Sequence, residues 1–255
     1  MNDILFTNAR LIDPSQNLDA SGHLAITDGV ISALGSGQVN GKTAKADRVI
    51  DCKGACLAPG LVDMRVQTAD PGSEHLEDLA TLLNAAAAGG VTGLGCLPNT
   101  QPVIDNAAMI DSLGLRASRA AGPRLHIYGA ATKGVAGTEM AELGLMAEAG
   151  AVAFTNATTS IGDALVMRRL LAYANMLDKP VIQHCEDASL AADGEMNESE
   201  TSTRLGLIGI PAIAEAVIIE RDIQLMRLTG ARYHVAHLST RAGIDAVRRA
   251  KAEGL

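Results

Sequence analysis

Pro59-Gly60-Leu61-Val62-Asp63-Met64-Arg65-Val66-Gln67-Thr68-Ala69-Asp70-Pro71-Gly72 is a short apolar run that breaks into polar residues and then into a Pro-Gly turn. Five further runs of this kind follow, so that strands are expected at about 57–64, 91–96, 124–129, 151–154, 181–184 and 233–237. Each run precedes a longer amphipathic stretch, the pattern of repeated βα units that builds a parallel sheet. Residues 76–88, 163–177 and 212–228 carry the clearest helical periodicity, with Gly89-Gly90 and Gly230 suited to end helices. The reading is an α/β fold, a (β/α)8 TIM-type barrel with about six βα units present in the 255 residues. Six units do not close an eight-stranded barrel. The chain stops at Glu253-Gly254-Leu255, where a helix should hand over to a seventh strand. Two βα units are therefore expected to be absent, the chain to be a piece of a longer protein, and strand edges to be exposed.

Upstream of this region the rhythm differs. Ile4-Leu5-Phe6, Leu24-Ala25-Ile26 and Val30-Ile31-Ser32-Ala33-Leu34 are β-like, and the last two flank Thr27-Asp28-Gly29. An Asp-Gly pair between apolar runs signals a hairpin, because glycine accepts the positive φ of the turn. The expected organisation is a small antiparallel sheet in residues 1–56 and the barrel in 57–255.

Composition narrows the function. Twenty-one Lys and Arg against 29 Asp and Glu give a net charge of -8, and no basic tract gathers the positive residues, so nucleic acid is excluded as a partner. Cys52, Cys56, Cys96 and Cys185 are scattered without Cys-x-x-Cys spacing, which argues against a zinc knuckle or redox motif and fits a reducing cytoplasm. No apolar run approaches the ~20 residues that span a bilayer, so no membrane partner is expected.

In a parallel barrel, chemistry sits at the carboxyl ends of the strands. Besides the first, these ends read Cys96-Leu97-Pro98-Asn99-Thr100-Gln101-Pro102, Gln183-His184-Cys185-Glu186-Asp187 and His234-Val235-Ala236-His237-Leu238-Ser239-Thr240. Together with Gly206-Leu207-Ile208-Gly209-Ile210-Pro211, these segments resemble dihydroorotase of the long, multidomain-type class, within the amidohydrolase superfamily. The resemblance runs from about residue 4 to the end. It implies a barrel with a small β-sandwich, to which residues 1–56 contribute, and a zinc site that interconverts carbamoyl-aspartate and dihydroorotate in pyrimidine biosynthesis. Zinc suits that reaction because it lowers the pKa of its bound water to about 7 and so supplies hydroxide at neutral pH.

The match to the implied site is uneven. His184 and His237 fall where the strand-five and strand-six metal ligands belong, and Asn99 is a retained substrate contact. The His-x-His of strand one is replaced by Arg65 and Gln67, and the arginine expected two residues later, a substrate contact, is Ala69. Asn156 and Ala157 stand in a strand-four segment that normally supplies a carboxylate. The strand-eight aspartate falls beyond Leu255. Arginine does not ligate zinc and puts a positive charge in the cation's place; a glutamine amide oxygen suits harder ions. Two imidazoles fall short of the three protein ligands usual at catalytic zinc. The expectation is therefore a degenerate homologue without catalytic residues or bound zinc. Its expected role is that of a structural partner of aspartate transcarbamoylase in an oligomer, as inactive chains of this kind are. The alternative is an active zinc-dependent cyclic amidohydrolase with an altered metal site.

Simpler roles stand beside these. The guanidinium of Arg65 is expected to fill the vacated cation position and pair with nearby acceptors. Asn99 also suits a turn and a helix cap. Asp63 suits a structural hydrogen bond, and Glu186 and Asp187 suit a helix start. Counting back three from His237 places His234 on the opposite face, toward the helices. His126 reads as a packing residue, and His23 and His75 as exposed or turn residues. Cys185 has no partner to activate it as a nucleophile. The alanines at 85–88 read as a surface that lets a helix approach the sheet.

Overall fold

The computed structural model describes residues 3–37 and 46–255, which fall into two units divided between Leu61 and Val62. In the first, β1 (Ile4–Asp13), β2 (Leu18–Thr27) and β3 (Val30–Ser36) form an antiparallel meander. Asp28 and Gly29 join β2 to β3 with φ of 52° and 77°, the two positive values a tight hairpin turn needs. The sheet is mixed rather than purely antiparallel. β4 (Arg48–Asp51) and β5 (Cys56–Leu57) both run parallel to β1, and Leu57 pairs with Leu11. Leu57 thus belongs to this sheet and not to the first barrel strand. The reason is Pro59-Gly60, where proline lacks the N–H a ladder requires and ends the strand.

The second unit begins with β6 (Leu61–Val66) and alternates strands with helices. In order come α1 (Leu79–Ala88), β7 (Val91–Cys96), α2 (Ala107–Arg119), β8 (Arg124–Ala130), α3 (Leu143–Glu148), β9 (Ala153–Thr155), α4 (Ala164–Met176) and β10 (Val181–His184). After these come α5 (Ala188–Ala191), β11 (Met196–Asn197), α6 (Glu200–Leu205), β12 (Gly209–Ile210), α7 (Ile213–Thr229), β13 (Tyr233–Ala236) and α8 (Arg241–Ala252). Six strands make one curled sheet in the order β13-β10-β9-β8-β7-β6, with parallel pairing from β7 through to β13; β11 and β12 pair separately. This half-barrel sheet, with helices between its strands, is the expected (β/α) architecture.

Alternation along each strand divides the side chains between two faces. Phe154, Ile127, Leu94 and Val181 meet Leu83, Ile110, Leu170 and Leu171 of the helices in the main core. Leu97, Tyr128, Ala153 and Ala157 form a smaller cluster on the inner face. β6, at one edge of the sheet, leaves Leu61, Val62 and Met64 exposed by 62%, 64% and 53%, as expected of a barrel that is not closed.

Helix starts follow their caps. α1 begins at Leu79 rather than 76 because Asp78 and Thr81 form a reciprocal capping box. Of the alanines that follow, Ala86 packs against the core, so the expected approach is made at one position and not along the run. Leu79, Leu82 and Leu83 are buried, while Ala85, Ala87 and Ala88 are exposed. Asp163 caps α4 and Asp187 caps α5, each accepting two backbone N–H bonds. The pKa values of Asp78 and Asp163 are held below the usual 3.8 chiefly by those backbone bonds, and that of Asp187 chiefly by the Ser189 hydroxyl. A depressed folded-state pKa contributes stability above the unfolded value, and that contribution is lost as pH falls through the folded one. The thermal midpoint is therefore expected to hold from neutral pH to about 5 and to fall below about 4. Asparagine at the three caps should flatten that acid limb in a pH series of thermal melts.

Candidate functional site

His184 ends β10 and is paired in register with Ala236, the last residue of β13. His237 follows immediately with φ of 36°, a left-handed turn that brings its ring to His184 with centroids 4.9 Å apart and planes inclined by 46°. Nδ1 of His184 is buried without a partner, and its Nε2 lies 3.5 Å from Oε1 of Glu186. The pKa of His237 is lowered, first by burial and then by the neighbouring His184 and Arg65. The two candidate ligand histidines thus converge, with a guanidinium near enough to be felt.

Two small cavities adjoin the pair. The first, about 170 Å³, is lined by Met64, Arg65, Leu97, Tyr128, Thr155, Ala157, Ile182, His234, Ala236 and His237. His234, exposed on the edge strand β13, thus borders the interior as well as a hollow on the helix side with Ile223, Met226 and Val247. The count from His237 fails because His237 lies beyond the strand in the left-handed region, so alternation does not carry across it. Within β13 it is Tyr233 and Val235 that pack toward the helices. The second cavity, about 160 Å³, includes His184, Cys185, Glu186, Asn197, Glu215, His237, Ser239 and Thr240. Glu215, on α7, is fully engaged: it accepts from Ser239 N at 2.7 Å, from Thr240 N at 3.0 Å and from both hydroxyls, tying α7 to the start of α8.

Arg65 lines the first cavity, yet its residue is exposed and its guanidinium pairs with no acceptor among the described residues. The expected neutralising partner is not there, because no carboxylate lines that wall. Asp63 accepts the backbone N–H of Arg65 at 3.0 Å, the structural bond expected of it. Gln67 lies past the end of β6, exposed, and lines neither cavity; Ala69 and Asn99 line neither as well. Asn99 does not cap α2, which Asn106 does, and its Oδ1 is buried without a partner. Asn156 is 1% exposed and locked to Thr132, accepting from its N and exchanging bonds with its hydroxyl, which fastens the end of β9 to that of β8. Ala157 follows with φ of 57° and reaches the cavity wall.

The remaining singled-out residues settle simply. Cys185 is buried, its Sγ is 3.2 Å from the Tyr233 hydroxyl, and burial pushes its thiol pKa up to about 12, which leaves no thiolate to attack. His75 is exposed, His126 is half-buried, and His23 is half-buried within β2 rather than in a turn, with Nδ1 3.3 Å from the carbonyl of Gly37.

Tyr128 escaped sequence reasoning although it shapes the site. Its hydroxyl donates to the Met64 carbonyl at 2.9 Å, reaching across β7 to fix the strand that carries Arg65. Gly95 makes room for that reach, since a Cβ there would sit 2.2 Å from the Tyr128 oxygen and 2.7 Å from the Met64 carbonyl. Gly95→Ala is expected to destabilise the chain by about 1–3 kcal/mol, measured by urea unfolding.

Among the described residues no three of His, Cys, Asp and Glu are placed to hold one metal ion. The donor set does not fit catalytic zinc: it offers two imidazoles and Glu186 beside one of them, with Arg65 on the wall of the adjoining cavity.

In architecture the chain matches solved α/β barrels. The L-hydantoinase of Arthrobacter aurescens superposes with a TM-score of 0.80 at 20% identity, over 100% of this chain and 57% of that one. The profile of the dihydro-orotase-like family matches residues 54–243. A dihydroorotase of Syntrophotalea carbinolica is 43% identical over 98% of this chain, and one of Solibacter usitatus is 44% identical over 99%. The chain belongs to the dihydroorotase-like family. It spans 58% of the length of those two relatives. No described helix is long and apolar enough to cross a membrane.

Proposed function

We propose that this chain is a dihydroorotase-family half-barrel that does not hydrolyse cyclic amides and acts instead as a structural partner in an assembly. The observation that carries the reading is the unpaired guanidinium of Arg65 on the cavity wall beside His237, where the family's chemistry needs a metal ligand. A fixed positive charge at that wall opposes a divalent cation, and two imidazoles do not hold one in catalytic geometry. The structural roles support the same reading: Asn156, Glu215 and Tyr128 are committed to bonds that hold strands and helices together. The resemblance names aspartate transcarbamoylase as the partner and pyrimidine biosynthesis as the setting.

A second reading is an active hydrolase with an altered metal arrangement. What favours it is the convergence of His184 and His237, with Nδ1 of His184 and Oδ1 of Asn99 both buried and unpartnered. Elemental analysis joined to a dihydroorotate hydrolysis assay separates the two. The first reading expects well under one zinc per chain and no turnover above buffer, with the protein retained by immobilised aspartate transcarbamoylase. One zinc per chain with turnover establishes the second.

A further inference from the structure

The 170 Å³ cavity beside His237 has no carboxylate among its lining residues, whereas the neighbouring cavity that His237 shares with His184 has Glu186 and Glu215. What lines the first is one fixed cation, Arg65, two imidazoles, the Thr155 hydroxyl, the Tyr128 hydroxyl and an apolar remainder. The donors are not consumed by one another. Tyr128 donates to the Met64 carbonyl, but Thr155 Oγ1 only accepts, from Ala157 N at 3.0 Å, and keeps its own proton to give. Elsewhere on this unit, arginines that reach buried carboxylates are neutralised, Arg116 by Asp70 and Arg221 by Asp222; Arg65 faces no such partner among the described residues. An arginine that lines one cavity with Thr155 and two histidines belongs to a set that complements an oxyanion.

We propose that this cavity binds a small monocarboxylate, with Arg65 as its fixed cation in place of the family's metal. Charge and size select that class. One guanidinium balances one negative charge, whereas a phosphate near neutral pH carries about 1.5–2 and would leave the excess against apolar walls. Met64, Leu97, Ile182 and Ala236 suit a short hydrocarbon tail. The cavity, about 170 Å³, admits an acid of the size of propionate or butyrate.

The inference rests on the reading of the site as metal-free, so the test measures metal content in the same sample. Chelator-treated protein is titrated calorimetrically with propionate and, separately, with inorganic phosphate, using wild type, Arg65→Gln and Arg65→Lys, each checked for an unchanged thermal midpoint. Propionate is expected to bind saturably to wild type, about tenfold more weakly to Arg65→Gln, and at an intermediate level to Arg65→Lys. Phosphate is expected to bind at least about tenfold more weakly than propionate. Absence of saturable propionate binding to the folded, metal-free protein overturns the inference. So does equal binding by Arg65→Gln, or a preference for phosphate. Zinc that survives chelation overturns the metal-free reading itself, an outcome that the elemental analysis reports independently of the titration.

Discussion

The double substitution Arg65→His with Gln67→His is expected to raise zinc retention above that of the wild-type chain, to one ion per chain. It removes the charge that opposes the cation and adds an imidazole to the wall already occupied by His237, whose ring lies 4.9 Å from that of His184. Three imidazoles meet the count at which catalytic zinc sites become stable, and a fourth stands ready at 67 should that loop turn inward. Affinity is expected to rise by on the order of 100-fold or more, since loss of even a residue that merely orients a ligand costs about 10–100-fold. Competition against a chromophoric chelator reads the change. Equal zinc affinity in wild type and variant would show that Arg65 does not control the site. Hydrolysis need not follow, because neither Asn156 nor Ala157 supplies a carboxylate on strand β9's end.

The second large effect concerns stability. Phe154 is fully buried where the sheet meets the helices, and Gly129 on the neighbouring strand is so close that a Cβ there would meet Phe154 Cδ1 at 3.2 Å. A site packed this tightly collapses little when a ring is removed. Phe154→Ala is expected to cost about 3–5 kcal/mol, with a lowered urea midpoint and unchanged slope. A loss below about 1 kcal/mol would mean that the core between sheet and helices is not the chain's main source of stability.

The barrel was legible in the sequence because its strands are short apolar runs closed by polar residues, a signal that survives without tertiary context. The boundary at Leu57 was not, because an apolar residue before Pro59-Gly60 serves either sheet and only pairing with Leu11 decides. The convergence of His184 and His237 followed from their places at strand ends. The place of His234 on the interior cavity did not follow, because it depends on a left-handed residue at 237 that breaks the count of two. Glu215 gave no local cue, since its role as a bridge to Ser239 and Thr240 exists only when α7 and α8 pack together. Asn156 read as a lost carboxylate; it is also a structural residue whose amide suits Thr132, which donates to it and accepts from it, better than an acid that can only accept.

We infer that the Arg65 guanidinium takes the place of a metal beside His184 and His237. Crystals of the protein dialysed against equimolar zinc, measured on both sides of the zinc absorption edge, test it most directly. No anomalous peak is expected between the two imidazoles, with the Arg65 side chain directed at the cavity. A full-occupancy peak ligated by both histidines, with Arg65 turned away, would contradict it.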